Sequence, residues 1–209
     1  LTQTLLPCSP INDPNNIMPP KRIGLYWFTN DLRLHDQPAL MRAVGNVDQL
    51  VCLFVLEDRW FLPREFSAPS IGENRLAFLF QSLLALDSQL RQLGQRLVIV
   101  RGALESSLAK VIETTGATDV FCSRHAGWYE QRCLAWLNTK YPDLQQQCVD
   151  SHTLFDLDGL PFELRALPQT FTQFRKQVEN CKPSRPLSAV SFLPKQPSSA
   201  DRLGLSLES

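Results

Sequence analysis

No G-x-G-x-x-G follows the first hydrophobic run of this 209-residue chain, and no G-x-x-x-x-G-K-S/T occurs anywhere in it. The two usual ways of cradling a pyrophosphate or triphosphate on backbone amides are therefore missing. A G-x-S-x-G elbow and an H-E-x-x-H helix are missing too, which removes the ordinary hydrolase and zinc peptidase readings along with the dehydrogenase and phosphate-loop ones. Neither sign of charge is in excess: Lys plus Arg and Asp plus Glu are both 21, for a net charge of zero. A wholly basic nucleic-acid binder is thereby disfavoured. No apolar run approaches the roughly 18 residues of a membrane span, so no membrane partner is expected. The six cysteines (Cys8, Cys52, Cys122, Cys133, Cys148, Cys181) are scattered, with no C-x-x-C pair and no His at zinc-finger spacing. They read as reduced structural thiols of a cytoplasmic protein. Residues 1–20 have neither a basic start nor a continuous apolar core, so they are not a secretory signal and are expected to form a flexible leader, with Met18 a candidate natural start.

What is present is an alternation of short apolar runs and amphipathic segments. Ile23 to Phe28 is a run rich in β-formers, and the chain turns polar at Thr29. A run apolar on both faces suits the centre of a parallel sheet covered by helices on both sides. Asp36 is placed to cap a helix over Gln37 to Val44, with Pro38 in its first turn. Leu50 to Leu56 is a second apolar run that ends abruptly at Glu57-Asp58-Arg59, which completes a βαβ unit. The longest helix is expected over Glu73 to Leu93. Its Leu76, Leu79, Leu83, Leu86, Leu90 and Leu93 recur at spacings of three and four on one face, and Gly94 closes it. Leu97–Val100, Thr118–Cys122 and Gln146–Val149 read as further strands, with helices over Leu104–Thr114 and Trp128–Lys140. After a long loop, one more helix covers about Thr170 to Asn180. Residues 181–209 carry several prolines and serines and have the composition of a linker or tail. The expected fold is a doubly wound, five-stranded parallel α/β sheet with helices on both faces, occupying residues 21–180.

Ligands of such sheets sit beyond the carboxyl ends of the strands, at the point where strand order reverses. The polar groups there are Thr29, Asn30 and Asp31 after Phe28, then Glu57 and Asp58, Arg101, Ser123, Arg124 and His125, and Ser151-His152. If the order reverses beside the first strand, the first and fourth sets flank a crevice fit for a planar, hydrogen-bonding ligand. The blander alternative is solvated loop polarity with internal ion pairs such as Asp31 with Arg33. His35, His125 and His152 all follow strand ends, but the nearby carboxylates lack a metal-ligand spacing, so no metal is expected. The four tryptophans read as core or groove aromatics.

Two longer motifs carry a resemblance. WFTNDLRLHDQPAL, Trp27 to Leu40, resembles the first strand and loop of the photolyase and cryptochrome family, W-F-R-x-D-L-R-x-x-D-x-x-A-L. Glu57-Asp58-Arg59 with Phe61, then Gly72 and Arg75, then Gly102 follow in the same order. LPFELRALPQTFTQFRKQVE, Leu160 to Glu179, is similar to the L-P-F-x-x-x-x-L-P-x-x-F-T-Q-F-R-K segment of the cryptochrome DASH branch. The resemblance covers about Ile23 to Pro186. It implies an N-terminal α/β domain joined by a linker to a larger helical domain, which binds FAD, receives damaged DNA and uses light-driven electron transfer to split pyrimidine dimers, or signals. By that resemblance this chain holds the α/β part alone and no catalytic residue. In relatives the α/β domain often carries an antenna pigment, commonly methenyltetrahydrofolate. The implied cofactor-binding set is Phe28, Thr29, Asn30, Asp31, Glu57, Asp58, Ser123, Arg124 and His125. Thr29 stands where the family has arginine, and Ser123 to Gly127 lacks the glutamates that hold the pterin in DASH relatives. No cofactor is therefore assigned firmly to this chain. The alternative expectation is a stand-alone module for a nucleotide-like ligand or a protein partner.

Overall fold

The computed structural model describes residues 20–63, 69–155 and 157–205. The expected leader, apart from residue 20, lies outside them. Five strands form one parallel sheet: β1 (Ile23–Phe28), β2 (Gln49–Glu57), β3 (Leu97–Gly102), β4 (Asp119–Ser123) and β5 (Gln145–Val149), in the order β3-β2-β1-β4-β5. The helices between them are α1 (Pro38–Asn46), α2 (Glu73–Gln92), α3 (Leu104–Thr115) and α4 (Trp128–Lys140), with α5 (Phe171–Val178) after the sheet is complete. The expected doubly wound α/β fold is what the chain adopts.

Period-two alternation along the strands divides the core into two layers. Leu25, Trp27, Leu53, Val55, Val98 and Val120 pack with Leu104, Leu108 and Val111 of α3 and with Cys133 and Leu137 of α4. Their neighbours Tyr26, Phe28, Cys52, Phe54, Ile99 and Phe121 face the other way, onto Leu40 and Ala43 of α1 and Leu83, Leu86 and Leu90 of α2. The central strand is buried on both sides, as its uninterrupted apolar run requires. The leucine stripe of α2 reaches the core only in part, since Leu83, Leu86 and Leu90 are buried while Leu76 and Leu79 are not fully so.

Two local expectations are corrected. Asp36 does not cap α1. It sits at a φ of 48° and grips the returning chain, its N–H donating to Leu187 O at 3.0 Å and its Oδ1 accepting from Leu187 N–H at 3.1 Å. Gln37 takes the cap position without a side-chain cap bond, and Pro38 stands at the first helical position, where no N–H is needed. The second difference concerns the tail. Its composition is that of a linker, yet residues 187–205 lie against the domain. Leu50 N–H donates to Lys195 O at 3.2 Å, and buried Gln95 donates to Leu50 O at 3.0 Å and to Pro194 O. Leu193 is buried in the α1/α2 layer, whereas Ala200 and Leu203 are buried in the α3/α4 layer. The segment thus passes from one face to the other round the open edge of β3, where Leu205 N–H donates to Ile99 O at 2.7 Å. Gly204, at a φ of +100°, makes the close approach, since a Cβ there would sit 3.4 Å from Ile99 backbone atoms.

Candidate functional site

The order reverses beside β1, between β2 on one side and β4 on the other. At this point a cleft of about 670 Å³ opens beyond the strand ends.

Its floor is organised by Asp31, which follows β1 and is 4% exposed. Oδ2 accepts from Gln37 Nε2 at 2.7 Å, from Ser151 Oγ at 3.2 Å and from Ser123 Oγ. These donors come from the turn into α1, the loop after β5 and the end of β4, so three separate chain segments converge on one carboxylate. Oδ1 is buried and has no hydrogen-bond partner among the described residues, and Thr29 Oγ1 is in the same condition. A buried carboxylate oxygen left unpaired is costly. Its place in the lining of a cleft makes it a natural acceptor for a ligand N–H.

One wall is apolar. Phe54 and Trp60 stand with ring centroids 6.3 Å apart, and Ile71, Phe78 and Leu79 continue the surface. Phe78 is 70% exposed, an uncovered aromatic on the first turns of α2. The rim is charged. Arg59 bonds Glu57 through Nε and, at 2.8 Å, through Nη2. It also lies 3.8 Å from Glu130 and 3.7 Å from the Tyr129 ring centroid. The bond to Glu57 raises its pKa further, so the guanidinium is a fixed positive charge. Arg75 enters from α2 and Arg33 from the loop after β1. His125 Nε2 meets the Asn30 side-chain amide at 2.6 Å, and Nδ1 accepts from Gly127 N–H at 2.9 Å. His152 stacks edge-on against the same ring at 5.5 Å.

Of the nine residues the sequence singled out, Thr29, Asn30, Asp31 and His125 line the cleft. Ser123 stands behind it and holds Asp31, and Glu57 fixes Arg59. Phe28 is fully buried in the α1/α2 layer. Asp58 pairs with Arg101 at 2.8 Å away from the cleft. Arg124 turns outward to Asp150 at 3.0 Å and to Cys148 O at 3.2 Å. The Arg124 charge therefore does not reach the cleft, and a carboxylate, Glu130, enters from the first turn of α4. The expected pairing of Asp31 with Arg33 is not formed either. Arg33 is held by the carbonyls of His35 at 3.1 Å, Asp36 at 3.0 Å and Ser151 at 3.3 Å. Sequence reasoning missed Tyr129, Glu130 and the α2 residues Phe78 and Ser82; it noted Arg59 only within a motif and Trp60 only as a core or groove aromatic. The available signal was Phe78, a large apolar residue off the leucine stripe. Among the described residues no cluster of three or more His, Cys, Asp or Glu could hold a metal ion, and no helix is long and apolar enough to cross a membrane.

The cleft thus lies at the switch point of a parallel sheet, with an aromatic wall and, on its floor, a buried acceptor unpaired among the described residues. The family follows from comparison. The family model for DNA photolyase matches residues 24–193. A cryptochrome DASH of Idiomarina loihiensis is 35% identical over 192 residues, 92% of this chain and 43% of that protein. A second, from Vibrio parahaemolyticus, is 40% identical over 181 residues, 86% of this chain and 41% of that protein. Among solved structures, a cryptochrome from Synechocystis sp. superposes with a TM-score of 0.78 at 27% identity, over 88% of this chain and 38% of the other. The chain belongs to the DNA photolyase family and corresponds to its N-terminal α/β domain, with cryptochromes of the DASH type among its relatives. It spans less than half the length of the two curated cryptochromes.

Proposed function

We propose that this chain is the antenna-type domain of a cryptochrome DASH-like photolyase or blue-light photoreceptor, and that its cleft holds a flat light-harvesting pigment of the folate class. The observation that carries the reading is Asp31: a buried carboxylate in the cleft lining, with one oxygen occupied by three protein donors and the other free. An amino-pyrimidinone edge, as in methenyltetrahydrofolate, presents adjacent N–H donors that suit such an oxygen. Phe54, Trp60 and Phe78 offer the faces a planar ring packs against, and Arg33 and Arg75 suit the carboxylate tail. When bound, the pigment absorbs light and passes excitation on. The protein's part is to hold its edge at Asp31, shield its face and exclude water from the floor.

In this reading FAD, dimer-containing DNA and the photochemistry belong to a helical region that partners this domain. The zero net charge of the chain supports DNA contact through that region. The described cysteines, Cys52, Cys122, Cys133, Cys148 and Cys181, are all free thiols, which supports a reducing, cytoplasmic compartment. The competing reading, a stand-alone module, draws on the altered crevice residues Thr29 and Ser123 to Gly127 and on the helical region lying outside this chain; the outward pairing of Arg124 supports the antenna reading over it at the loop after β4.

The test is reconstitution of the purified protein with methenyltetrahydrofolate, read by the shift in its near-ultraviolet absorption. Binding that weakens about tenfold or more in Asp31→Asn is expected, since a hydrogen bond to a charged group contributes roughly 1.5–3 kcal/mol. No binding by the unaltered protein sinks the folate reading.

A further inference from the structure

Cys122 of β4 and Cys148 of β5 occupy directly paired positions on neighbouring parallel strands, and their Sγ atoms lie 3.3 Å apart. Adjacent strands run about 4.7–4.9 Å apart, inside the roughly 4.4–6.8 Å Cα separation that a disulfide spans. The backbone therefore already stands at bonding distance.

The two sulfurs are not equivalent. Cys122 is almost fully buried, while Cys148 is half-buried on an edge strand. The sulfur contact with Cys122 and the nearby Arg124 guanidinium, whose Nη2 donates to Cys148 O at 3.2 Å, lower the pKa of the Cys148 thiol against the opposing effect of burial. The same sulfur contact, with burial, pushes Cys122 up and keeps it protonated. Cys52 and Cys133 differ, since burial pushes each thiol up to about 12.

We propose that Cys148 and Cys122 form a peroxide-responsive dithiol site that closes to a reversible disulfide behind the cleft floor. In the first step the Cys148 thiolate attacks an oxygen of hydrogen peroxide. An S–O bond forms, the O–O bond breaks, and the departing hydroxide takes up the proton the thiol had released, leaving a sulfenic acid and water. In the second step the Cys122 sulfur gives up its proton and attacks Cys148 sulfur. The S–S bond forms, the S–O bond breaks, and hydroxide leaves as water with that proton. Two thiols thus lose two electrons, and one peroxide becomes two waters. A dithiol reductant reverses the change by exchange.

The placement gives the bond a local consequence. Cys122 directly precedes Ser123, and Cys148 lies three residues before Ser151. Both serines donate to Asp31 Oδ2. A disulfide would tie together the two strands that carry these donors, whatever the cleft holds.

The test is peptide mapping of the purified full-length protein after mild hydrogen peroxide, with free thiols blocked by N-ethylmaleimide. The expected product is a Cys122–Cys148 linked peptide pair, lighter by two hydrogens than its components and separated by dithiothreitol, with Cys52 and Cys133 still reduced. In Cys122→Ser, Cys148 should stop at a sulfenic acid that dimedone captures. A Cys148→Ser protein should leave Cys122 reduced. The proposal is overturned if the unaltered protein yields no such pair, if Cys148 pairs with another cysteine, or if it proceeds to sulfinic acid while Cys122 stays free. The first measurement needs no variant, so a failure of either substitution to fold leaves it decisive.

Discussion

Asp87 and Asp31 are both buried carboxylates, but they do opposite things with their oxygens. Asp87, on the core side of α2, satisfies both: Oδ1 accepts from Leu97 N–H at 2.8 Å at the start of β3, and Oδ2 accepts from Arg91 Nε at 2.6 Å. It is a structural tie between helix and strand. Asp87→Ala strands a buried backbone N–H and is expected to lower stability by about 1–3 kcal/mol, read as a drop in the urea midpoint at unchanged slope. Asp87→Asn keeps an acceptor and should lose less. Asp31 leaves one oxygen without a protein partner, so its substitution should act on ligand binding as well as on the fold. The sequence distinguishes neither case. Asp87 sits in a helix among apolar residues with no motif around it, whereas Asp31 follows a strand and falls on the aspartate of the first motif, neither of which shows how its oxygens are bonded. Arg33 and Arg124 show the same limit. Both are charged residues at strand ends, and only tertiary neighbours decide that one is held over carbonyls at the cleft and the other turns out to Asp150.

At the scale of elements, α3 and α4 lie side by side and are joined across their surfaces by Arg132 Nη2 to Glu105 Oε1 at 2.8 Å. Partial burial would raise the Glu105 carboxyl, but the bonds from Arg132 and from its own backbone outweigh it, and the net shift is downward. A group whose folded pKa is depressed contributes stability above its unfolded pKa and loses it as pH falls through the folded value. The linkage should therefore be fully present at neutral pH and fade below about pH 4.3, the ordinary value of a glutamate. Glu105→Gln should lower the urea midpoint at neutral pH and converge with the unaltered protein in acid, so that the acid limb flattens; an unchanged acid limb would show that the pair contributes nothing. The elements themselves are largely legible in the sequence. The helix expected over Trp128–Lys140 has those ends, because Tyr141-Pro142 stops it, and all five expected strands are present. The differences lie at termini. β3 and β4 run on through Arg101-Gly102 and Ser123, since parallel pairing to β2 and to β5 continues past the last apolar side chain. α5 is shorter than expected and is capped by Thr170, whose Oγ1 accepts from Gln173 N–H at 3.4 Å.

For the whole molecule, the segment 187–205 closes the structure where its composition promised only a linker. An open edge strand such as β3 is a template for association unless covered, and the segment covers it while placing Leu193 and Leu203 in opposite core layers. Leu203→Ala should cost roughly 2–4 kcal/mol, as for other buried leucines, and Leu205→Ala, at a side chain 51% exposed, should stay within about 0.5 kcal/mol. Thermal unfolding of the two variants separates a docked segment from a solvated one, because a solvated linker would make both silent. The sequence by itself determined the parallel sheet and its helices, since runs apolar on both faces and stripes at helical spacing can be buried in few other ways. It also located the strand-end crevice and, through two long motifs, the family. Tertiary structure alone decided which side chains face that crevice, that Phe78 and Glu130 help to line it, that Cys122 and Cys148 face one another, and that the tail wraps the β3 edge. The physical reason is common to all four: each depends on the direction of a side chain or carbonyl relative to a segment distant in sequence. Local periodicity records which face a residue lies on, not what it meets there.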